Sequence, residues 1–158
     1  HWRRFDPAVP VDLDCYCDGS TSYGVGLSIQ GRERAYPLRD DLKGRTDIKI
    51  VEALALELAL LTVIALGHTD CTLLIHTDNT AVLGAFKKGK MASEEPNKVI
   101  QRVAKHEQRA RIAVQLEWVD TLNQRADAAS RGKSTSNLPR LPTCAMEPDL
   151  AQWFDDSW

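Results

Sequence analysis

Val11-Asp12-Leu13-Asp14-Cys15-Tyr16-Cys17-Asp18-Gly19-Ser20 is the stretch from which the rest of the chain is read. Leu13, Cys15 and Cys17 fall on one face of a two-residue repeat and Asp12, Asp14 and Tyr16 on the other, the alternation of a strand. Asp18 falls on the Asp14 and Tyr16 face and ends the strand, because Gly19-Ser20 opens a turn-rich run to Gly24. Residues 25 to 30 and 32 to 38 then read as a hairpin around Gly31. Three consecutive antiparallel strands result.

Downstream the period lengthens. Thr46 or Asp47 caps a helix over residues 49 to 66, stopped by Gly67 and apolar nearly all round, so it has to be covered on more than one side. Residues 72 to 77 read as a strand, 79 to 88 as a short helix ending at Gly89, and 93 to 111 as a second helix entered at Ser93-Glu94-Glu95-Pro96. A last strand over 113 to 119 and a short helix over 123 to 131, ending at Gly132, complete the order βββαβααβα of an α/β domain spanning residues 11 to 132. Residues 1 to 10 form a lead-in, since Pro7 and Pro10 oppose a helix or a central strand. From Lys133 to residue 158 Ser, Thr, Asn and Pro dominate until Trp153, Phe154 and Trp158 appear among acids. This tail either folds back or stays mobile, or its aromatic cluster docks a partner.

Four acids sit where such a fold gathers them: Asp18 and Asp78 at the ends of apolar strands, Glu52 inside the greasy helix, and Asp127 in the first turn of the last helix. Each alone has an ordinary explanation as a turn residue, a surface position, an N-cap or a complement to a helix dipole. Together they require a reason, because clustered carboxylates repel and raise one another's pKa. A hard divalent cation, which takes oxygen ligands and keeps waters, is the usual one.

Asp18-Gly19-Ser20 followed by Gly24-Val25-Gly26, then Glu52-x-x-Ala55-Leu56, Thr77-Asp78-Asn79 and Asn123-x-x-Ala126-Asp127-x-x-Ser130-Arg131 resembles the ribonuclease H domain of a retroelement reverse transcriptase. The last motif is similar to that of gypsy-class and DIRS-type retrotransposons, and the resemblance covers residues 11 to 132. It implies a five-stranded mixed sheet, three antiparallel then two parallel strands, with helices on both faces. It further implies a metal-dependent endonuclease that cleaves the RNA strand of an RNA–DNA hybrid with two Mg²⁺ ions, Mn²⁺ substituting, and leaves a 5′-phosphate and a 3′-hydroxyl. In that scheme Asp18 bridges the ions, Glu52 and Asp78 complete the one beside the leaving group, and Asp127 completes the one that activates water. Cellular members carry a mobile histidine before the last helix, whereas Asp120-Thr121-Leu122 has none. Slow turnover in isolation, with substrate capture aided by an upstream polymerase domain of the same polyprotein, is the consequence.

Hybrid binding has candidate contacts of its own. Gly19, Ser20 and Thr21, in the turn after the first strand, are placed for 2′-hydroxyl contacts across a minor groove. Asn79 reads either as a phosphate contact or as a helix cap. Lys87, Lys88 and Lys90 begin a basic stretch, continued by Lys98, Arg102, Lys105, Arg109 and Arg111, that reads either as a phosphate track or as solvated helix faces. His76 reads as a hydrogen-bonded core residue, His68 and His106 as loop and solvent-face residues, and Glu57, five positions past Glu52, as structural. Competing readings are a DNA-acting nuclease of the same fold, opposed by a Glu on the first helix, and a catalytically silent scaffold or binding module, opposed by the presence of all four acids.

With 158 residues the chain suits one domain able to bury roughly 70% of its unfolded surface. Its net charge of −2 excludes a uniformly basic binder. Cys15, Cys17, Cys71 and Cys144 form no zinc pattern and read as buried reduced thiols, which favours an intracellular site, cytoplasm or nucleus. The sequence has no signal peptide or transmembrane run, so no membrane partner is expected, and a start at His1 reads as an excised or processed piece.

Overall fold

The computed structural model describes residues 10 to 90 and 93 to 157, so most of the lead-in and Trp158 lie outside the described residues. Strands β1 (Val11–Gly19), β2 (Gly24–Ile29) and β3 (Arg32–Pro37) pair antiparallel in succession, and β4 (Cys71–Thr77) and β5 (Ile112–Trp118) add in parallel on the other side of β1. The sheet order is β3-β2-β1-β4-β5, which makes β1 central and antiparallel to one neighbour but parallel to the other. That is the five-stranded mixed sheet, three antiparallel then two parallel strands, that the resemblance implies. The strict alternation holds only from Cys15 onward, because the β1–β4 register shifts between Val11 and Cys15 and Asp14 takes a φ of +53°.

Helix α1 (Ile48–Ala65) is capped by Asp47, which accepts from the Lys49 N–H at 2.8 Å, while Thr46 turns its hydroxyl to the Leu42 carbonyl. Every residue from Val51 to Leu60 is buried, since the helix lies between the sheet and α3 (Glu94–Ala110). Helix α2 (Thr80–Lys88) starts at Asn79, whose side chain accepts from Val82 N–H. On β1 and β2, Asp18 pairs with Gly26 and Gly19 with Val25. The two pairs face opposite sides of the sheet. A Cβ at Gly19 would meet Val51 and Glu52 of α1, and one at Gly26 would meet the backbone of residues 126 to 130, so helices cover both faces.

The last helix differs from expectation. Residues 123 to 131 do not form one helix: a 3₁₀ turn over Thr121–Asn123 is followed by extended Gln124 and a single-turn helix, α4 (Asp127–Ser130). Two side chains impose the break. Asp120 accepts from Asn123 N–H at 2.9 Å, and the buried Gln124 donates to the Cys17 carbonyl at 3.0 Å while accepting from Ala126 N–H.

Of the alternatives for the tail, the described residues fold back. Leu141 N–H bonds the Glu33 carbonyl, Arg32 reaches the carbonyls of Pro139 and Arg140, and Phe154 bridges to Leu38, so the outer edge of β3 is covered rather than left open. A short helix, α5 (Pro148–Ala151), lies within the tail, and Leu141, Cys144, Leu150 and Phe154 are buried in the common core. Phe154→Ala should cost about 3 kcal/mol in denaturant unfolding through the cavity it leaves. A loss near zero would mean that the tail is only loosely applied.

All four cysteines are free and buried, and burial pushes the Cys15 thiol up to about 12 and that of Cys17 well above its usual value, the condition of inert core thiols. No helix of the described residues is long and apolar enough to cross a membrane.

Candidate metal centre

The carboxylates of Asp18, Glu52 and Asp78 converge, one oxygen from each lying within 4.8 Å of the others. The convergence has a backbone cause. Strands β1 and β4 are parallel neighbours, with Tyr16 beside His76, so residues two further along each strand, Asp18 and Asp78, emerge at the same end of the sheet. Glu52 arrives from α1 over Gly19, where a Cβ would stand 2.9 Å from its Oε1. A side chain at position 19 would collide with both Glu52 and Val51, so α1 could not stay where it is without a shift.

The charges are held by a few donors. Ser130 Oγ lies 3.2 Å from Asp18 Oδ2 and 2.7 Å from the Asp127 carbonyl, sharing its one hydrogen between them. Glu52 receives hydrogen bonds from the Gly19 N–H and from the Asn79 side chain. Thr121 Oγ1 approaches Asp78 Oδ2 at 3.5 Å. These do not offset desolvation and repulsion. Burial first, then Asp78 and Asp127, pushes Asp18 up to about 7, and burial, then Asp18 and Asp78, pushes Glu52 up to about 9. The folded chain by itself therefore keeps protons on this group near neutral pH. An all-oxygen donor set of this kind fits a hard divalent cation, whose charge would release those protons.

Asp127, expected as the fourth ligand, is not within that group. It sits on the rim in α4 with its side chain 35% exposed, 3.4 Å from Arg131 Nε, close enough to act on Asp18 but outside the three-oxygen set. The bare Gly26 is what lets α4 come that close, since a Cβ there would fall 2.2 Å from Ser130 N.

The expected nucleic-acid contacts divide. Ser20 is buried, its hydroxyl donating to the Ser130 carbonyl and accepting from the turn amides of Tyr23 and Gly24, so its side chain holds the turn against α4. Gly19 bonds Glu52 through its N–H, whereas the Thr21 carbonyl takes the Gly44 N–H. Asn79 both caps α2 and bonds Glu52. Lys87, Lys88 and Lys90 are exposed and make no ion pair among the described residues, and Lys88 and Lys90 join Lys49, Thr80 and Gly84 along a groove of about 720 Å³ that begins beside Asn79. Further along, the basic stretch is partly paired: Lys98 with Glu94 and Glu95, Arg102 with Glu57 and Arg111 with Asp70, whereas Arg109 meets Glu147 only loosely and the exposed Lys105 makes no ion pair among the described residues.

His76 stacks on Tyr16 with ring centres 4.5 Å apart, below the acids, and Arg125 lies over the other ring system at 5.4 Å. His106 is not a solvent-face residue: its side chain is 14% exposed and its Nε2 lies 2.8 Å from Glu57. Glu57 is structural, as its position implied. Gln124, Ser130 and Thr121 hold the site without having been singled out for it. Only Ser130 had a legible signal, three residues after Asp127 and hence on the same helix face.

No protein-family model matches the chain, and no curated protein matches it.

Proposed function

We propose that this chain has the ribonuclease H-like fold and is a divalent-metal-dependent endoribonuclease acting on the RNA strand of RNA–DNA hybrids, the nuclease domain of a retrotransposon reverse transcriptase. One observation carries the reading: Asp18, Glu52 and Asp78, far apart in sequence, are brought within 4.8 Å at one end of a mixed sheet, at an electrostatic cost that a bound divalent cation would offset. The reaction class comes from the resemblance that the ordered motifs carry to the ribonuclease H domains of retroelements.

Asp18, Glu52 and Asp78 are the residues that would hold Mg²⁺ or Mn²⁺, with Asp127 as the rim carboxylate. Bound there, such an ion supplies Lewis acidity and a water of lowered pKa. The protein's own part is positioning. Ser130 orients Asp18, Gly19 N–H and Asn79 orient Glu52, and Thr121 orients Asp78, so the ligand oxygens do not reorganise when substrate arrives. The groove along α2, with Lys88 and Lys90, is where a phosphate backbone leaving the site would lie. An intracellular setting and an upstream polymerase domain belong to the same reading, the latter compensating for the lack of a histidine in Thr121–Asn123.

The test is a cleavage panel with Mg²⁺, using hybrid, duplex RNA and duplex DNA of one sequence and preparations free of the host's own ribonucleases. Expected is cutting of the RNA strand of the hybrid alone, abolished by EDTA. Cutting of duplex DNA in preference would assign the chain to the DNA-acting class, and no cutting of any substrate with Mg²⁺ or Mn²⁺ would leave a scaffold.

A further inference from the structure

Later on α1 than Glu52, a second concave site lies between α1, α3 and the tail. It is a cavity of about 420 Å³ walled by Leu61 and Ile64 of α1 and by Met146 and Leu150 of the tail. Its polar floor is Glu57, 1% exposed, with Arg102 and His106 packed over it. A mostly apolar cavity of this size with a few convergent polar groups is the ordinary form of a small-molecule site.

The hydrogen-bonding inventory fixes the ligand's chemistry. Glu57 Oε1 accepts from Arg102 Nε and Nη2 at 3.2 and 2.7 Å, and Oε2 from Arg102 Nε at 3.0 Å and from His106 Nε2 at 2.8 Å. The carboxylate is thus occupied on both oxygens and offers little to a ligand. Arg102 Nη1, in contrast, has no protein partner among the described residues, and since no buried side-chain polar atom there lacks one, it is open to solvent. Arg109, one helical turn past His106 on the same face, lines the same cavity and meets Glu147 only loosely, at 3.6 Å with both side chains largely exposed. The remaining ring nitrogen of His106 accepts in the neutral ring and donates in the charged one. Glu147 lines the cavity too and is met only by Arg109, so the unused capacity is that of the guanidinium donors of Arg102 and Arg109 with one exposed carboxylate beside them, above apolar walls.

We infer that this cavity binds a small amphipathic anion, its apolar body against Leu61, Ile64, Met146 and Leu150 and its carboxylate- or sulfonate-type head on Arg102 and Arg109. The site is independent of the nuclease reading, since none of its residues contributes to the acidic group. Because the tail supplies one wall, occupancy also stabilises the docked tail.

Anilinonaphthalene sulfonate, an apolar ring system with one anionic head, is a suitable probe, and phenylnaphthylamine is its uncharged counterpart. Fluorescence titration of the full chain should show saturable one-to-one binding of the sulfonate, at least about tenfold tighter than that of the uncharged analogue, with a rise in melting temperature. Leu61→Trp, which fills the cavity from α1, should weaken binding about tenfold or more, and Met146→Trp, which fills it from the tail, should do the same if the first variant melts non-cooperatively. Unsaturable binding, equal affinity for the two probes, or affinity unchanged in a well-folded filled variant overturns the inference. So does a wild-type dimer in sedimentation that the filled variant loses while the probe fails to bind, which would give the cavity to a second copy of the chain.

Discussion

Asp78→Asn is expected to lower hybrid cleavage by about a thousandfold or more, some 4 kcal/mol of transition-state stabilisation, while leaving the fold intact. Asn keeps the size of Asp and an oxygen for Thr121, but removes the negative charge that completes the three-oxygen set. Folding should not suffer, because Asp78 raises the pKa of both Asp18 and Glu52, and its neutralisation relieves them. Initial rates on hybrid with Mg²⁺, beside thermal melts in EDTA, separate the two effects. A variant that cuts at the wild-type rate would remove Asp78 from the site. One that cuts slowly and also melts far lower would return it to a structural role.

In the absence of metal the folded chain should lose stability as pH rises from about 4 to 9. Burial and the neighbouring carboxylates push Asp18 up to about 7 from 3.8 and Glu52 up to about 9 from 4.5, so the pair holds protons in the folded chain that the unfolded chain has released. Between each pair of values the folded state binds more protons than the unfolded state, so unfolding free energy falls with rising pH and levels off above the folded value. For a carboxyl shifted as Asp18 is, the loss is about 4 kcal/mol, or about 10 °C in melting temperature for a domain of this size. Asp18→Asn should flatten much of that slope and melt higher than wild type in EDTA at pH 8. It removes one charge and relieves Glu52, while its amide oxygen still accepts from Ser130. Mg²⁺ should stabilise wild type increasingly with pH, because binding displaces protons, and should stabilise the variant less. A flat wild-type profile in EDTA, or equal metal responses in the two proteins, would show that the acids do not share a site.

Much of this was legible in the chain because it depended on local periodicity. The two-residue alternation at Cys15 to Cys17, the all-round apolar face of α1 and the capping residues Asp47 and Asn79 act within a few residues of themselves, and each element formed within two residues of where its pattern placed it. The last helix broke from its pattern because Gln124 bonds the Cys17 carbonyl, a partner 107 positions away that no window on the sequence contains. His106 failed as a surface residue for the same reason: the Glu57 that draws it inward is on another helix.

Side-chain period and turn chemistry set the five strands, the helices α1 to α3, the acids at two strand ends and the apolar burial of α1, but neither the break before α4 nor the short α5. Only the tertiary structure decided which acids meet. Parallel pairing of β1 with β4 sets Asp18 beside Asp78, the missing side chain of Gly19 admits Glu52, and the short α4 leaves Asp127 on the rim. It also decided which of the basic residues stay free, because ion pairs between elements depend on distances across the fold, and it turned an ambiguous tail into the cover of β3. Local preference sets what each segment is. Where its charges end up is set by what the neighbouring segments leave uncovered.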